Sequence, residues 1–442
     1  MTHPAQARTD DATIAALQAR RIWDSRGRPT IECEVMLAGG AIGRGMAPAG
    51  ASMGSREAVE RRDGGPRLGG KDVQGALRGL RAEIAPLLIG RSALAQAEID
   101  AALIRLDGTA NKSRLGGNAI TAVSLAVLNA AAASRSMPLW QYLAGDTAPR
   151  MPLPEIQIFG GGAHAGRRVD IQDFMVMAPK AGSFAQALEI TAEVYLAAGS
   201  LMAERGALQG VADEGGYWPV FASNEEALDT LLRAIERAGF TPGDEVHLSL
   251  DIAASEFGHA GRYRLGLEGR ILGRDEWLAQ LLDWCARYPI LSIEDPFGED
   301  DAEGMRAITA ELGGRVQVIG DDFLVTDAAL VEQAARDKAC NAVLIKVNQA
   351  GTVSEAQAAL AAGQAAGFGT IVSARSGETE DTSIVDLAVG WNAGQLKVGS
   401  FSRSERMAKW NAALRIEERL LAGDVARYGG FAGNPLRAIS AR

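Results

Sequence analysis

In the second half of the chain, short apolar runs recur and each ends in a charged side chain. Val246-His247-Leu248-Ser249-Leu250 ends at Asp251, and Ile290-Leu291-Ser292-Ile293 ends at Glu294. Arg315-Val316-Gln317-Val318-Ile319-Gly320 ends at Asp321, and Ala342-Val343-Leu344-Ile345 ends at Lys346. Runs this short, rich in Val and Ile, read as buried strands. Between them lie helical patterns, such as Leu278, Leu281, Leu282 and Cys285 at i, i+3, i+4 and i+7 behind Asp275. Strand alternating with helix predicts an α/β fold with a parallel sheet, and repetition of the unit predicts a closed barrel. Functional groups of such barrels stand at the C-terminal strand ends, where these four residues fall.

The first third of the chain has a different rhythm. Thr30–Leu37 alternates as a strand with Ile31, Cys33 and Val35 on one side, and Asn118–Ala133 is an Ala-rich helix of core type. Ala47-Pro48-Ala49-Gly50-Ala51-Ser52-Met53-Gly54 is rich in small residues, as a closing lid is. Pro138 and the Pro149, Pro152 and Pro154 cluster mark a passage between units. The expected organisation is an α+β lid domain over residues 13–143 and a barrel domain over 144–442. Residues 1–12 are polar and expected to lack fixed structure.

Composition narrows the partners. A net charge of −10 argues against binding a nucleic-acid backbone. No stretch reads as a membrane span and no apolar leader is visible, so a cytoplasmic protein is expected. Cys33, Cys285 and Cys340 are scattered, which suits reduced structural thiols.

The strand-end residues make a chemical proposal. One acid at a strand end can merely cap the next helix. Three acids with a lysine on successive strands suit a shared site for a hard cation, most simply Mg²⁺. Other segments add to the same rim. His164, one of four histidines, lies in the glycine-flanked Gly160–Gly166 loop, and Asp173 begins a further run. Asp213-Glu214-Gly215-Gly216 is an acidic turn, Arg375 and Ser376 follow Thr370–Ser373 and could clamp an anion, and Lys397 supplies a second cation.

These segments also carry a family likeness. Asp24-Ser25-Arg26-Gly27, Gly50-Ala51-Ser52, Asp213–Gly216, Leu250–Phe257, Ser292–Phe297, Gly320-Asp321-Asp322, Leu344–Gln349, Ser376–Thr382 and Arg403–Arg406 occur in order. Over nearly its whole length the chain resembles the enolases, the phosphopyruvate hydratases. The resemblance implies an N-terminal α+β lid domain followed by an enolase-type (β/α)8 barrel opening with an antiparallel ββαα unit. It also implies a carbon–oxygen lyase that reversibly dehydrates 2-phosphoglycerate to phosphoenolpyruvate through an enediolate, with two Mg²⁺ per active site.

By family position, Asp251, Glu294 and Asp321 hold the first Mg²⁺, and Ser52 on the lid reaches the second. Lys346 removes the α-proton and Glu214 assists departure of the hydroxyl. Asp173 belongs to the same acid network. Arg375, Ser376 and Ser52 bind phosphate, Lys397 binds the carboxylate, and His164 closes over the site. A homodimer or higher homo-oligomer is implied, with Arg26 and Glu405 at its contact, and a place in glycolysis.

The departures gather on the acid side. Asp173 stands where the family has Glu, Ala374 where it has His, Gly160 where it has Asn, Met53 where it has Thr, and Arg28 where it has Asn. The metal and phosphate residues are kept, which favours retained chemistry over decay. A carboxylate one methylene shorter retreats by about 1.5 Å, and misplacement on that scale costs roughly 10²-fold. Two other readings stand beside dehydration of 2-phosphoglycerate. One is a paralogue acting on a related phosphonate or 2-hydroxy acid in specialised metabolism. The other is a non-catalytic ligand-binding protein that keeps the fold.

Overall fold

A computed structural model of the chain describes residues 9–423. Thr9–Ala12 forms a short 3-10 turn, so the polar N-terminal segment gains structure before residue 13, and residues 1–8 lie outside the described part. The small domain is built on an antiparallel meander of β1 (Ile14–Trp23), β2 (Pro29–Leu37) and β3 (Ile42–Met46). Ile31, Cys33 and Val35 point together into its core, following the period-2 alternation of a strand with one buried face. Against β2 and β3 packs the helix Gly117–Ser134. It is apolar and long enough by composition to cross a membrane, but 83% of it is buried inside this protein. Gly43 and Gly45 let it approach: a Cβ on Gly43 would stand 2.0 Å from the Ala130 nitrogen.

The larger domain holds β4 (Leu153–Gly160), β5 (Asp173–Met177) and β6 (His247–Asp251). A surface meander follows, of β7 (Gly258–His259), β8 (Arg262–Leu265) and β9 (Arg270–Gly273). Then come β10 (Ile290–Glu294), β11 (Gln317–Gly320), β12 (Ala342–Ile345), β13 (Gly369–Ser373) and β14 (Gln395–Ser400). Eight of these close into a barrel in the order β10-β11-β12-β13-β14-β4-β5-β6. All neighbours are parallel except β5, which runs antiparallel to β4 and to β6. Two helices, Phe184–Glu204 and Asn224–Arg237, precede β6 and complete the ββαα opening. Reversal of β5 has a functional consequence: its first residue, Asp173, lies at the mouth where the other strands end.

Helix Arg274–Arg287 shows where periodicity misleads slightly. Its fully buried residues are Trp277, Leu281, Trp284 and Cys285, whereas Leu278 and Leu282 are only partly covered. The buried stripe is therefore turned toward the tryptophans, whose large area outweighs that of the leucines. Trp277 stays satisfied by donating from its indole nitrogen to the Pro296 carbonyl at 2.8 Å.

Candidate active site

The barrel mouth gathers charge on one strand end after another. Asp251 and Glu294 are the last residues of β6 and β10, while Asp321 and Lys346 follow β11 and β12 directly. Lys397 lies within β14. All five are buried. The Lys397 ammonium stands 2.8 Å from Asp251 Oδ2 and 2.8 Å from Glu294 Oε2. Lys346 Nζ bonds Asp321 Oδ2. Burial works against both ammonium charges, but the facing carboxylates outweigh it and raise both lysines above their ordinary value. Glu294 is raised as well, which for an acid favours the neutral form: burial, then the Asp251 charge, push its pKa well up. Its Oε1 is buried with no hydrogen-bond partner among the described residues. Hard oxygen donors clustered with an unsatisfied carboxylate oxygen fit a divalent metal of the Mg²⁺ class.

Amides hold the metal-side carboxylates from outside. Gln172 Nε2 donates to Asp251 Oδ2 at 3.1 Å and Gln349 Nε2 to Asp321 Oδ1 at 2.8 Å. Asp295 accepts from the Asp321 and Asp322 main-chain N–H groups at 2.8 and 2.7 Å and so fixes the turn that follows β11. Among the described residues two triplets have ligand atoms within 4.8 Å of one another: Asp295, Asp321 and Asp322, and His164, Asp173 and Glu214. The sequence-predicted set Asp251, Glu294 and Asp321 does not form one, its carboxylates being engaged by Lys397 and Lys346.

The second triplet forms the opposite wall. His164 sits in the 3-10 turn Gly162–Ala165 after β4. Its Nδ1 is 2.9 Å from Asp173 Oδ1 and its Nε2 is 3.7 Å from Glu214 Oε1. Burial alone would strip the imidazolium of its proton, but the two acids raise His164 to about 9. Burial likewise opposes the Asp173 charge, and the His164 charge and hydrogen bond overcome it, leaving Asp173 below the ordinary carboxylate value. Glu214 is raised, chiefly by burial. Gly399 allows the turn bearing Glu214 to lie this close, since φ there is +125° and a Cβ would stand 2.9 Å from the Glu214 carbonyl oxygen.

The arginine side is tied to the lid. Arg375 binds Glu57 with both terminal nitrogens, at 2.9 and 3.2 Å, and donates to Asn348 Oδ1 at 3.2 Å and to the Ser52 carbonyl at 3.1 Å. Ser376 Oγ accepts from the Ala51 N–H at 2.9 Å. Gly50 is required here, because a Cβ would meet Arg375 Nη2 at 2.2 Å. Ala49 pairs with Gly377 as an antiparallel bridge, so the base of the lid is anchored while Met53 is 56% exposed at its tip. Ser52, His164, Lys346, Arg375 and their neighbours enclose about 20 Å³ of water-sized space, roughly one solvent molecule.

The folded chain thus carries the residues singled out at the strand ends and rim to one barrel mouth, with Lys397 between Asp251 and Glu294 and Lys346 on Asp321. The family description "Enolase, N-terminal domain" matches residues 14–143, and "Enolase, C-terminal TIM barrel domain" matches residues 148–435. The chain belongs to the enolase family. It is 49% identical over 424 residues to the enolase of Acidothermus cellulolyticus, covering 96% of this chain and 98% of that one. At that identity over nearly the full length, it is an enzyme, a hydro-lyase of the enolase type. Enolases as a family are metal-dependent, in keeping with the buried acids at the barrel mouth.

Some residues of this site escape sequence reasoning. Glu57 is buried against Arg375 from 318 positions away, and no local pattern announces it. Asn348 and Gln349 lie inside the Leu344–Gln349 motif and Gln172 directly precedes Asp173, yet their partners emerge only in the fold. Gln157 and Glu155, two apart on β4, face the barrel interior among polar neighbours: Gln157 meets Asp173, and Glu155 accepts from Ser249 Oγ. An apolar-run search passes over such strands.

Proposed function

We propose that this enolase-family protein catalyses the reversible, Mg²⁺-dependent dehydration of 2-phosphoglycerate to phosphoenolpyruvate. The carrying observation is the facing of two walls: Lys346 and Lys397 among three carboxylates on one side, and His164 between Asp173 and Glu214 on the other. Removing a weakly acidic proton needs a base and charge stabilisation, and expelling hydroxide needs a proton donor. The two walls divide that work.

Asp251, Glu294 and Asp321 are the residues that would hold the first cation, and Ser52 would contribute to a second. When bound, Mg²⁺ takes up the charge gathering on the substrate carboxylate, as is general in enolase-superfamily sites, and offsets the Asp321 charge that keeps Lys346 protonated. Lys397 supplies a further cation for the carboxylate. Arg375 and Ser376, with the lid, receive the phosphate. Lys346, in its neutral form, takes the proton from C2. As the C3–oxygen bond breaks, the proton held by Glu214 joins the leaving hydroxide to make water, and the electron pair becomes the C2–C3 double bond. His164 orients the acids from between them.

An alternative substrate, a phosphonate or differently substituted 2-hydroxy acid, draws support from Ala374. It is a small residue lining the cavity beside Arg375, at a position where the family has histidine. A substrate panel run with Mg²⁺ distinguishes the two readings. Higher kcat/KM on 2-phosphoglycerate than on any phosphonate or 2-hydroxy-acid analogue supports the first, and the reverse order overturns it.

A homodimer fits the small domain. Arg26 Nε and Nη1 and Glu405 Oε1 have no hydrogen-bond partner among the described residues, Glu405 Oε1 standing 3.5 Å from Arg406 Nε, and a pairing of Arg26 with Glu405 between subunits would supply one. Three buried free thiols suit a reducing compartment such as the cytoplasm.

A further inference from the structure

On the acid wall the shortened carboxylate does not stand alone. Gln157 spans the gap between the two acids: its Nε2 donates to Asp173 Oδ1, and its Oε1 accepts from the Gly216 N–H at 2.8 Å, two residues past Glu214. With an N–H as one partner and a carboxylate as the other, only one orientation of the amide satisfies both. Asp173 Oδ1 therefore receives two donors, His164 and Gln157, and buried Oδ2 has no hydrogen-bond partner among the described residues, only Lys397 Nζ as an ion-pair neighbour at 3.8 Å. The amide has room because residue 160 is glycine. A Cβ there would lie 3.3 Å from both polar atoms of Gln157 and 2.6 Å from Ala212 Cβ. So the glycine in the loop, the long amide on β4 and the short acid on β5 fill one volume.

We propose that Gln157, seated against Gly160, is a positioning residue for the dehydration step. It sets where the Asp173 carboxylate stands, and through Gly216 it couples that placement to the turn carrying Glu214. Residues 157, 160 and 173 form one unit in which the reach lost in Asp173 is taken up by the reach of Gln157. The assignment rests on the dehydratase reading of this site. Its consequence is reciprocal: lengthening Asp173 alone crowds the amide, and shortening Gln157 alone strands the acid.

The test is a double-substitution cycle on the full chain with Mg²⁺, using Gln157→Asn, Asp173→Glu and the two combined. Each single substitution is expected to lower kcat on 2-phosphoglycerate by about tenfold or more, with KM within about twofold. The combined variant is expected to recover to within a few-fold of the parent, a rescue that general loss of fold integrity does not produce. Losses that multiply in the combined variant overturn the proposal. Thermal unfolding of the same four proteins gives a readout independent of turnover. Should the parent fail to dehydrate 2-phosphoglycerate, the functional reading falls and the melting cycle judges the unit: a combined Tm loss smaller than the sum supports it, and strict additivity overturns it.

Discussion

His164 Nδ1 lies 2.9 Å from Asp173 Oδ1, so an acid one methylene shorter than its family counterpart still reaches the imidazole. The pairing keeps His164 charged, with its pKa raised to about 9. A histidine that binds its proton more tightly when folded adds stability in full below its unfolded value near 6.5, and loses that contribution as pH climbs through about 9. Stability should therefore fall by up to about 3 kcal/mol between pH 6 and pH 9.5 from this group. In Asp173→Asn the decline should be much shallower. Urea unfolding at both pH values checks it, and an unchanged slope in the variant refutes the pairing as its cause.

Glu57 carries a structural claim of its own. Both its oxygens bind the buried Arg375 guanidinium, and truncation leaves that charge without its main partner. Glu57→Ala is expected to cost about 3–5 kcal/mol, the range for breaking a buried ion pair. Calorimetric unfolding measures this, and a loss below about 1 kcal/mol contradicts it.

Metal addition gives a third expectation. A cation that binds only the folded protein, at a hundred times its Kd, adds about 2.7 kcal/mol of stability. Mg²⁺ should therefore raise the Tm, and a chelator should reverse the rise. Glu294→Ala should abolish most of the shift at the same concentration. A full shift in that variant would place the cation elsewhere.

Light scattering at micromolar concentration is expected to give twice the chain mass. Arg26→Ala should move the population toward monomer, because it removes one side of the contact assigned to Arg26 and Glu405. A parent that runs only as monomer overturns that assignment.

Much of this was legible in the sequence for a physical reason. Buried parallel strands are short apolar runs, and a barrel displays the residue that ends each run, so Asp251, Glu294, Asp321 and Lys346 announced themselves. The strand β5 was legible as a run beginning at Asp173, but its antiparallel direction was legible only through family resemblance, since residues 173–177 carry no mark of strand direction. Glu57 and Gln157 stayed hidden because their meaning lies in partners brought close only by the fold. The cost assigned to the Asp173 substitution also changes with the fold. From the residue alone it reads as a lost reach, whereas in the structure His164 and Gln157 both meet the shorter acid.

Central to the account is the division of labour between the two walls, and one experiment reads it directly. Exchange of the C2 proton of 2-phosphoglycerate for deuterium is followed by NMR beside phosphoenolpyruvate formation, with Mg²⁺ present, for the parent, Lys346→Ala and Glu214→Gln. The parent is expected to perform both reactions and Lys346→Ala neither. Glu214→Gln should keep most of the exchange while dehydration drops by about 10² or more, the scale of a lost general acid. Equal loss of exchange and dehydration in Glu214→Gln, or undiminished exchange in Lys346→Ala, would contradict the account.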